Sequence, residues 1–225
     1  MSVELNVRCA DEFSEDARLL RAGRPAVRVV TIGEAALSYG VGEREDAGYL
    51  ARARSEGLAT GRRSTGGSGV LHLPGDLAWS VVLPRTDPRV GRDFARAYSR
   101  LGSALPRFLA NIGISARWEP SAAVERGYCI LSGRGEVLTV GGRALGGAAQ
   151  HLTRTALLHQ GMVALEVPRD RIASLFGVPP SELVARITGL RELGVDAAPD
   201  RLAHELATEL AGEFGIVERV GAGSG

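Results

Sequence analysis

Short apolar segments with the two-residue alternation of β-strands recur through the chain and limit the folds open to it. Between them lie longer segments with the apolar spacing of helices that pack on a sheet. Predicted strands lie at 27–32 and 35–42, within 70–83 and within 128–167. Predicted helices lie at 11–24, 44–56, 93–112, 169–176, 180–193 and 200–214. This order predicts an α+β fold with a mixed β-sheet flanked by helices.

The length of the chain favours one domain. With 225 residues, 44% of them hydrophobic, it can bury one substantial core but is short for two. We therefore expect a single domain over residues 1–220 and a flexible tail at 221–225.

The charge of the chain is nearly balanced, with a formal net charge of +1. No charge pattern indicates nucleic acid or a membrane surface as a partner. The two cysteines, Cys9 and Cys129, lie far apart, and the first residues lack the basic and apolar regions of a signal peptide. No apolar run approaches the roughly 20 residues of a membrane-spanning helix. We expect a cytoplasmic protein with free thiols.

All 27 basic residues are arginine, and lysine is absent. Chemistry that needs a titratable side-chain amine is therefore excluded from this chain. The abundance of alanine and glycine beside arginine is typical of a GC-rich genome, and we attribute most of the bias to that source.

Two glycine-rich segments are candidates for ligand contact, 62–72 and 141–150. Glycines let a backbone approach a ligand and point several N–H groups at it, although plain turns and bulged hairpin edges have similar compositions. The first segment has neither the phosphate-loop ending nor the dinucleotide spacing. No metal site is predicted, because the cysteines and the four histidines lack ligand spacing. The histidines are His72, His151, His159 and His204.

The first glycine-rich segment, RRSTGGSGVLH, resembles the RRxTGGGAVxH signature of the biotin/lipoate protein ligase catalytic-domain family. PAVRVVTIGEAALSYGVGE before it and GEVLTVGGRALGGAAQ, LLHQG and ITGLRELG after it are similar to further family segments in the same order. The similarity spans about residues 12–216 and is greatest to the lipoate-protein ligase A and octanoyltransferase branch. It implies the fold of a biotin/lipoate-ligase-like catalytic domain.

The resemblance also implies site residues. Cys129 falls where octanoyl-transferring members carry a nucleophilic cysteine, and Arg143 stands in place of the family lysine. His72 can shuttle a proton near pH 7. From composition alone, Cys129 could equally be a small buried hydrophobic residue and His72 a structural histidine. The implied acyl or adenylate pocket comprises Arg63, Thr65, Ser68, Gly69, Val70 and Leu71 on the loop, with Ala148, Ala149 and Gln150 closing it.

The departures from the family pattern bear on activity. Arginine at 143 keeps the charge of the family lysine but cannot exchange a proton near neutrality, so we expect it to stabilise the Cys129 thiolate. Ser68 and Gly147 replace a usual glycine and serine, and His159 and Gln160 stand in unusual order. Several changes at one site keep open the hypothesis of a degenerate, non-catalytic member that binds an acyl or adenylate group.

The function implied first is transfer of an octanoyl or lipoyl group to a lysine of a lipoyl domain, without a cofactor. The expected acceptors are the lipoyl domain of a 2-oxoacid dehydrogenase E2 and the glycine cleavage H protein, with acyl carrier protein as an expected donor. The cysteine, and a chain that ends near the close of the catalytic domain, favour this hypothesis. The alternative is a lipoate-protein ligase that uses ATP and Mg²⁺ to form an acyl-adenylate from free lipoate or octanoate.

Overall fold

Ten strands form two sheets in the computed structural model, which describes residues 1–90, 102–121, 127–132 and 135–216. The strands are β1 (Ser2–Val7), β2 (Ala26–Ile32), β3 (Ala36–Tyr39), β4 (Ala59–Arg62), β5 (Val70–His72), β6 (Leu77–Pro84), β7 (Arg117–Pro120), β8 (Glu136–Val140), β9 (Arg143–Leu152) and β10 (Ala156–Val163). The larger sheet has the order β1-β2-β6-β10-β9-β8-β7, and only β1 and β2 pair in parallel. The smaller sheet has the order β4-β3-β5.

The described helices pack around these sheets. They are α1 (Cys9–Ala22), α2 (Gly48–Ser55), α3 (Ala104–Asn111), α4 (Arg169–Phe176), α5 (Pro180–Arg186) and α6 (Pro199–Phe214), with 3₁₀ turns at Cys129–Leu131 and Arg191–Leu193. Helix α1 ends at Gly23, which adopts a left-handed conformation and donates its N–H to the carbonyl of Leu19. None of the described helices combines the length and the apolar character that crossing a bilayer requires.

The alternation of β6 shows how the layers are arranged. Leu77, Trp79 and Val81 face a core that also contains residues of α3 and α6, whereas Ala78 and Val82 face clusters with residues of α1. A third core joins the smaller sheet to α2, α4 and α5. The predicted mixed sheet flanked by helices is therefore confirmed.

Two predicted helix boundaries differ from the structure, and some strands were not predicted. The helix expected at 44–56 begins only at Gly48, because 44–47 form turns. The helix expected at 180–193 ends at Arg186, because Ile187 is extended and bridges to Ala144. Strands β1, β4 and β7 were not predicted. The first part of the helix expected at 93–112 and the tail at 221–225 lie outside the described residues.

Asp76 holds the turn between β5 and β6 in place. Its buried carboxylate accepts hydrogen bonds from the backbone N–H groups of Leu73 (2.9 Å) and Leu165 (2.8 Å), which lie far apart in sequence. Burial raises the pKa of Asp76 to about 7 despite these two hydrogen bonds. The carboxyl group therefore ties the end of β5 to the segment after β10.

We expect Asp76→Ala to lower the free energy of unfolding by about 2 to 4 kcal/mol, because it leaves two buried N–H groups without an acceptor. Asp76→Asn keeps one acceptor oxygen and should lose about half as much. Urea denaturation of both variants checks this. Equal stability of the alanine variant and the wild type would contradict the role of the carboxyl group.

Candidate active site

A cleft lies between β9 and β10 of the larger sheet, β5 of the smaller sheet, helix α1 and the 3₁₀ turn at Cys129. Together with the open solvent at its mouth, its empty space amounts to about 570 Å³. Most of its wall is apolar, with Phe13, Val70, Ile130, Val137 and Met162 contributing side chains. Such a wall suits an aliphatic chain better than a highly polar molecule.

The cleft combines apolar and polar groups. Cys129 lies in a small apolar cluster with Val70 and Met162. Glu12 and Gln160 also line the cleft, and Gln160 pairs in the sheet with Ser80. Met162 and Gln160 are two positions apart on β10, so their Cα atoms are separated along the strand by roughly 7 Å.

Arg63 connects the glycine-rich loop to this cleft. Its guanidinium group is 6% exposed and donates to Ser38 Oγ (2.6 Å) and to the carbonyls of Gly66 (3.1 Å) and Ser68 (3.0 Å). Among the described residues, no carboxylate lies within ion-pair distance of it. A buried cation with only neutral partners is costly unless an anion joins it.

The glycine-rich loop is fixed by backbone contacts to its neighbours. Gly40 donates to the carbonyl of Gly67 (3.0 Å), and Val41 donates to that of Thr65 (2.9 Å). Gly69 donates to Gly127 and accepts from Cys129, both at 2.8 Å. The loop therefore sets the position of the cysteine directly.

Cys129 lies on a 3₁₀ turn rather than on a strand, and it is partly exposed to the cleft. A Cβ atom at Gly67, whose φ is +96°, would lie 2.6 Å from the Cys129 sulfur. Glycine at this position therefore leaves room for the thiol. The other cysteine, Cys9, is 2% exposed in the core beside α1, and burial is the main cause that raises the pKa of its thiol strongly.

His72 lies in the cleft wall, as the sequence predicted, but its surroundings oppose protonation. Its Nε2 is 2.7 Å from Ser38 Oγ, which also accepts from Arg63. Burial, with the positive charge of Arg63 as the second cause, lowers the pKa of His72 to about 3. The imidazole is therefore neutral near pH 7, which favours a structural hydrogen bond over the proton transfer expected for this residue.

A pH series tests this state of His72. Its folded pKa lies below the ordinary value of 6.5, so acid protonates the unfolded chain first. The stability advantage of the wild type over His72→Gln should be complete above pH 6.5. It should shrink by up to about 1.4 kcal/mol per pH unit as the pH falls towards 3. An advantage that stays constant between pH 7 and pH 5 in urea denaturation would contradict a neutral, buried imidazole.

Arg143 lies outside the cleft wall, contrary to the expected role beside Cys129. Its Nη1 lies 3.4 Å from Glu192, a carboxylate that also pairs with Arg169 at 2.7 Å. Arg143 begins β9 at the hairpin end, where its side chain is 34% exposed and reaches the 3₁₀ turn at Arg191–Leu193. The structure therefore places Arg143 beside Glu192 and not in the cleft wall that contains Cys129, and the expected stabilisation of the thiolate by Arg143 stays a prediction.

Two expected pocket residues lie on strand faces that point away from the cleft. Leu71 packs in the third core with α2 and α4, between the cleft-facing Val70 and His72. Gln150 pairs with His159, which stacks on Trp79 across the sheet from the cleft. Both assignments fail because a loop motif does not specify which face of a strand each residue occupies.

The other expected pocket residues lie at or near the cleft. Arg63, Thr65, Val70, Ala148 and Ala149 line it. Gly69 lies next to Val70 and fixes Cys129, and the Ser68 carbonyl binds Arg63. Whether these residues bind an acyl or adenylate group remains a prediction.

Four polar residues of the cleft were not identified from the sequence: Glu12, Ser38, Glu136 and Gln160. Glu12 is buried on α1 with one carboxylate oxygen unpaired among the described residues, and burial is the main cause that raises its pKa well above the ordinary value. Glu12, Asp16 and Leu20 share one helix face at four-residue spacing. The presence of two acidic residues on the apolar face of a predicted helix was the sequence signal that could have indicated these buried carboxyl groups.

Comparison with known proteins places this geometry in a family. The model of the lipoyl protein ligase A/B catalytic domain matches residues 12–211. The chain belongs to this family. The resemblance inferred from the loop and strand motifs is thereby confirmed.

Curated relatives of this family member include octanoyltransferases. Octanoyltransferase LipM of Brevibacillus brevis is 28% identical over 173 residues, which cover 72% of this chain and 62% of the relative. Octanoyltransferase LipM of Staphylococcus aureus is 26% identical over 162 residues, covering 68% and 58%. The chain therefore spans about three fifths of the length of these relatives.

Solved structures of the family share the fold. A lipoate-protein ligase A bound with ATP has a TM-score of 0.77 at 20% identity, covering 97% of this chain and 88% of that chain. The bipartite lipoate protein ligase of Thermoplasma acidophilum, studied with its E2 lipoyl domain, has a TM-score of 0.76 at 18% identity, covering 97% and 85%. At these identities the likeness establishes the fold alone.

Proposed function

We propose that this protein transfers an octanoyl or lipoyl group to a lysine of a lipoyl domain through a thioester on Cys129. The observation that carries the proposal is the placement of the Cys129 thiol in a mostly apolar cleft, within a small apolar cluster and beside the buried Arg63. The wall suits an aliphatic chain, and a thiol suits covalent acyl transfer. The octanoyltransferase names of the curated relatives support this choice.

The proposed reaction has two balanced steps. The Cys129 thiolate attacks the acyl carbonyl of a carrier thioester; a new carbon–sulfur bond forms, the old one breaks, and the carrier leaves as a thiolate. The neutral amine of the acceptor lysine then attacks the Cys129 thioester. A carbon–nitrogen bond forms, the Cys129 sulfur leaves with the electron pair, and the amine proton passes to the solvent or to a released thiolate.

The acceptor must bring its own amine, because this chain contains no lysine. We propose the lipoyl domain of a 2-oxoacid dehydrogenase E2 or the glycine cleavage H protein as acceptor, and acyl carrier protein as donor. The E2 lipoyl domain named with the T. acidophilum ligase supports an acceptor of this kind. The proposed reaction requires no cofactor, and we propose the cytoplasm as its location.

Intact mass of an apo lipoyl domain tests the proposal. The domain is incubated with this protein and octanoyl acyl carrier protein in one arm, and with free octanoate, ATP and Mg²⁺ in the other. We expect one octanoyl group to be added in the first arm only. No gain in either arm, with the protein shown to be folded, would overturn the proposal and favour a non-catalytic binding protein.

The second candidate function is an ATP-dependent lipoate-protein ligase. One observation favours it: the buried guanidinium of Arg63, without a carboxylate partner among the described residues, could equally meet the phosphate of an acyl-adenylate. In that case ATP and Mg²⁺ are required, and the lipoyl domain gains mass only in the second arm.

A further inference from the structure

We propose that Arg63, rather than the arginine at the family lysine position, is the cation that stabilises the negative charge of the Cys129 sulfur during acyl transfer. The proposal rests on the proposed function only in assigning acyl transfer as the purpose of the thiolate. The activation of the thiol itself can be measured without any acyl substrate.

The first argument is geometric. A Cβ atom built at Gly67 would lie 2.6 Å from Cys129 Sγ and 3.2 Å from Arg63 Nη2. The thiol and the guanidinium therefore face the same side of one glycine, and a side chain at 67 would come between them. The backbone N–H of Cys129 donates to the carbonyl of Gly69, and the Arg63 side chain donates to the carbonyl of Ser68. The loop therefore fixes the positions of both groups.

The second argument is the missing anion. Arg63 is buried, and its three hydrogen-bond acceptors are a hydroxyl group and two carbonyls. Burial lowers the pKa of Arg63, and the charge of Cys129 is the largest of the influences that raise it. The carboxyl group of Glu12 is the next of these influences, but burial raises its pKa well above the ordinary value and so favours its neutral form. A thiolate at Cys129 supplies an opposite charge that a neutral Glu12 does not.

The third argument excludes the other titratable groups that line the cleft. Glu12 and Glu136 carry negative charge or none, so neither stabilises an anion. His72, with a pKa lowered to about 3 chiefly by burial, is neutral near pH 7. Arg143, outside the cleft wall, pairs with Glu192. Arg63 is the cation that remains among the described residues of the cleft.

The test measures alkylation of Cys129 by iodoacetamide at pH 7, followed by peptide mass spectrometry. Removing a nearby positive charge disfavours the thiolate, and the higher intrinsic nucleophilicity of the remaining thiolate offsets part of that loss. We expect Arg63→Gln to slow alkylation by about 3- to 30-fold. Arg63→Lys keeps the charge and should recover most of the rate, and Arg143→Gln should stay within about twofold of wild type.

Cys9 serves as an internal control for folding, because its buried thiol should stay unlabelled while the core is intact. Loosening of the loop would expose Cys129 and speed its labelling, which is opposite to the expected result. Slower labelling of Cys129 with Cys9 protected supports the proposal. An unchanged or faster rate in folded Arg63→Gln, or equal slowing in Arg143→Gln, overturns it.

If Arg63→Gln fails to fold, a measurement on the wild-type protein alone still tests the proposal. We expect Cys129 of the wild-type protein to be alkylated at pH 7 at least about threefold faster than the cysteine of an unstructured peptide with the same local sequence. A rate equal to or below that of the peptide overturns the proposal. Because no acyl group takes part, an activated thiol without octanoyl transfer would refute the proposed function alone.

Discussion

Replacing Cys129 with serine is expected to abolish octanoyl transfer from the carrier thioester, with at least about a 10³-fold fall in kcat/KM. The hydroxyl group ionises far less readily than a thiol, so serine is a much weaker nucleophile near neutral pH. Only one atom changes, so the fold should be preserved. The measurement is the initial rate of lipoyl-domain octanoylation at matched protein concentration.

Cys9→Ala provides the matched control, since Cys9 is buried in the core beside α1 and does not line the cleft. Its transfer rate should stay within about twofold of wild type, because it removes the only other thiol without touching the proposed nucleophile. If Cys129→Ser keeps full activity with octanoate, ATP and Mg²⁺, Cys129 is structural and the ligase is the function.

Replacing Gly40 with alanine is expected to cost about 3 kcal/mol of unfolding free energy and most of the transfer activity. The added Cβ would overlap the carbonyl oxygen of Gly67 and lie 2.6 Å from the carbonyl carbon of Gly66. Those contacts are with backbone, so no side-chain rotation relieves them. The loop that holds Arg63 and Cys129 must move instead.

Gly66→Ala is the matched control in the same loop, because its added Cβ meets no atom within 4 Å. It should leave both stability and the alkylation rate of Cys129 nearly unchanged. Urea denaturation and alkylation of the two variants side by side make the comparison. Equal stability and equal alkylation rates of the two variants would show that the packing of Gly40 against the loop does not determine the position of Cys129.

The sequence predicted the fold well because its signals are local. Alternating strands such as Ala26–Ile32 and the helix Arg169–Phe176 follow directly from apolar spacing and from Gly177 in a left-handed C-cap conformation. Boundaries failed where tertiary contacts compete with local preference. Ile187 leaves the helical pattern because its extended backbone bridges to Ala144.

The site was predicted less completely, because it depends on which groups meet across the fold. The loop motif identified Arg63 and the position of Cys129, but it gave no information on strand faces, so Leu71 and Gln150 were misplaced. A positive charge near the thiol was expected from Arg143. The structure brings a different arginine there, because Glu192 holds Arg143 at the hairpin end.

The buried acidic residues of α1 show a further limit of sequence reasoning. Glu12 and Asp16 lie on the buried face of α1. Composition alone would place both acidic side chains in solvent. Asp16 accepts a hydrogen bond from Ser80 at 2.6 Å, a residue 64 positions away. Only the packing of α1 on the sheet makes these carboxyl groups part of the cleft and its surroundings.

Intact mass of this protein itself tests the central claim most directly. The chain is mixed with octanoyl acyl carrier protein, sampled, and then given an excess of apo lipoyl domain. We predict one octanoyl adduct that maps to Cys129 and disappears as the lipoyl domain gains the same group. Transfer to the lipoyl domain without any adduct in wild type, or with equal speed in Cys129→Ser, would contradict acyl transfer through Cys129.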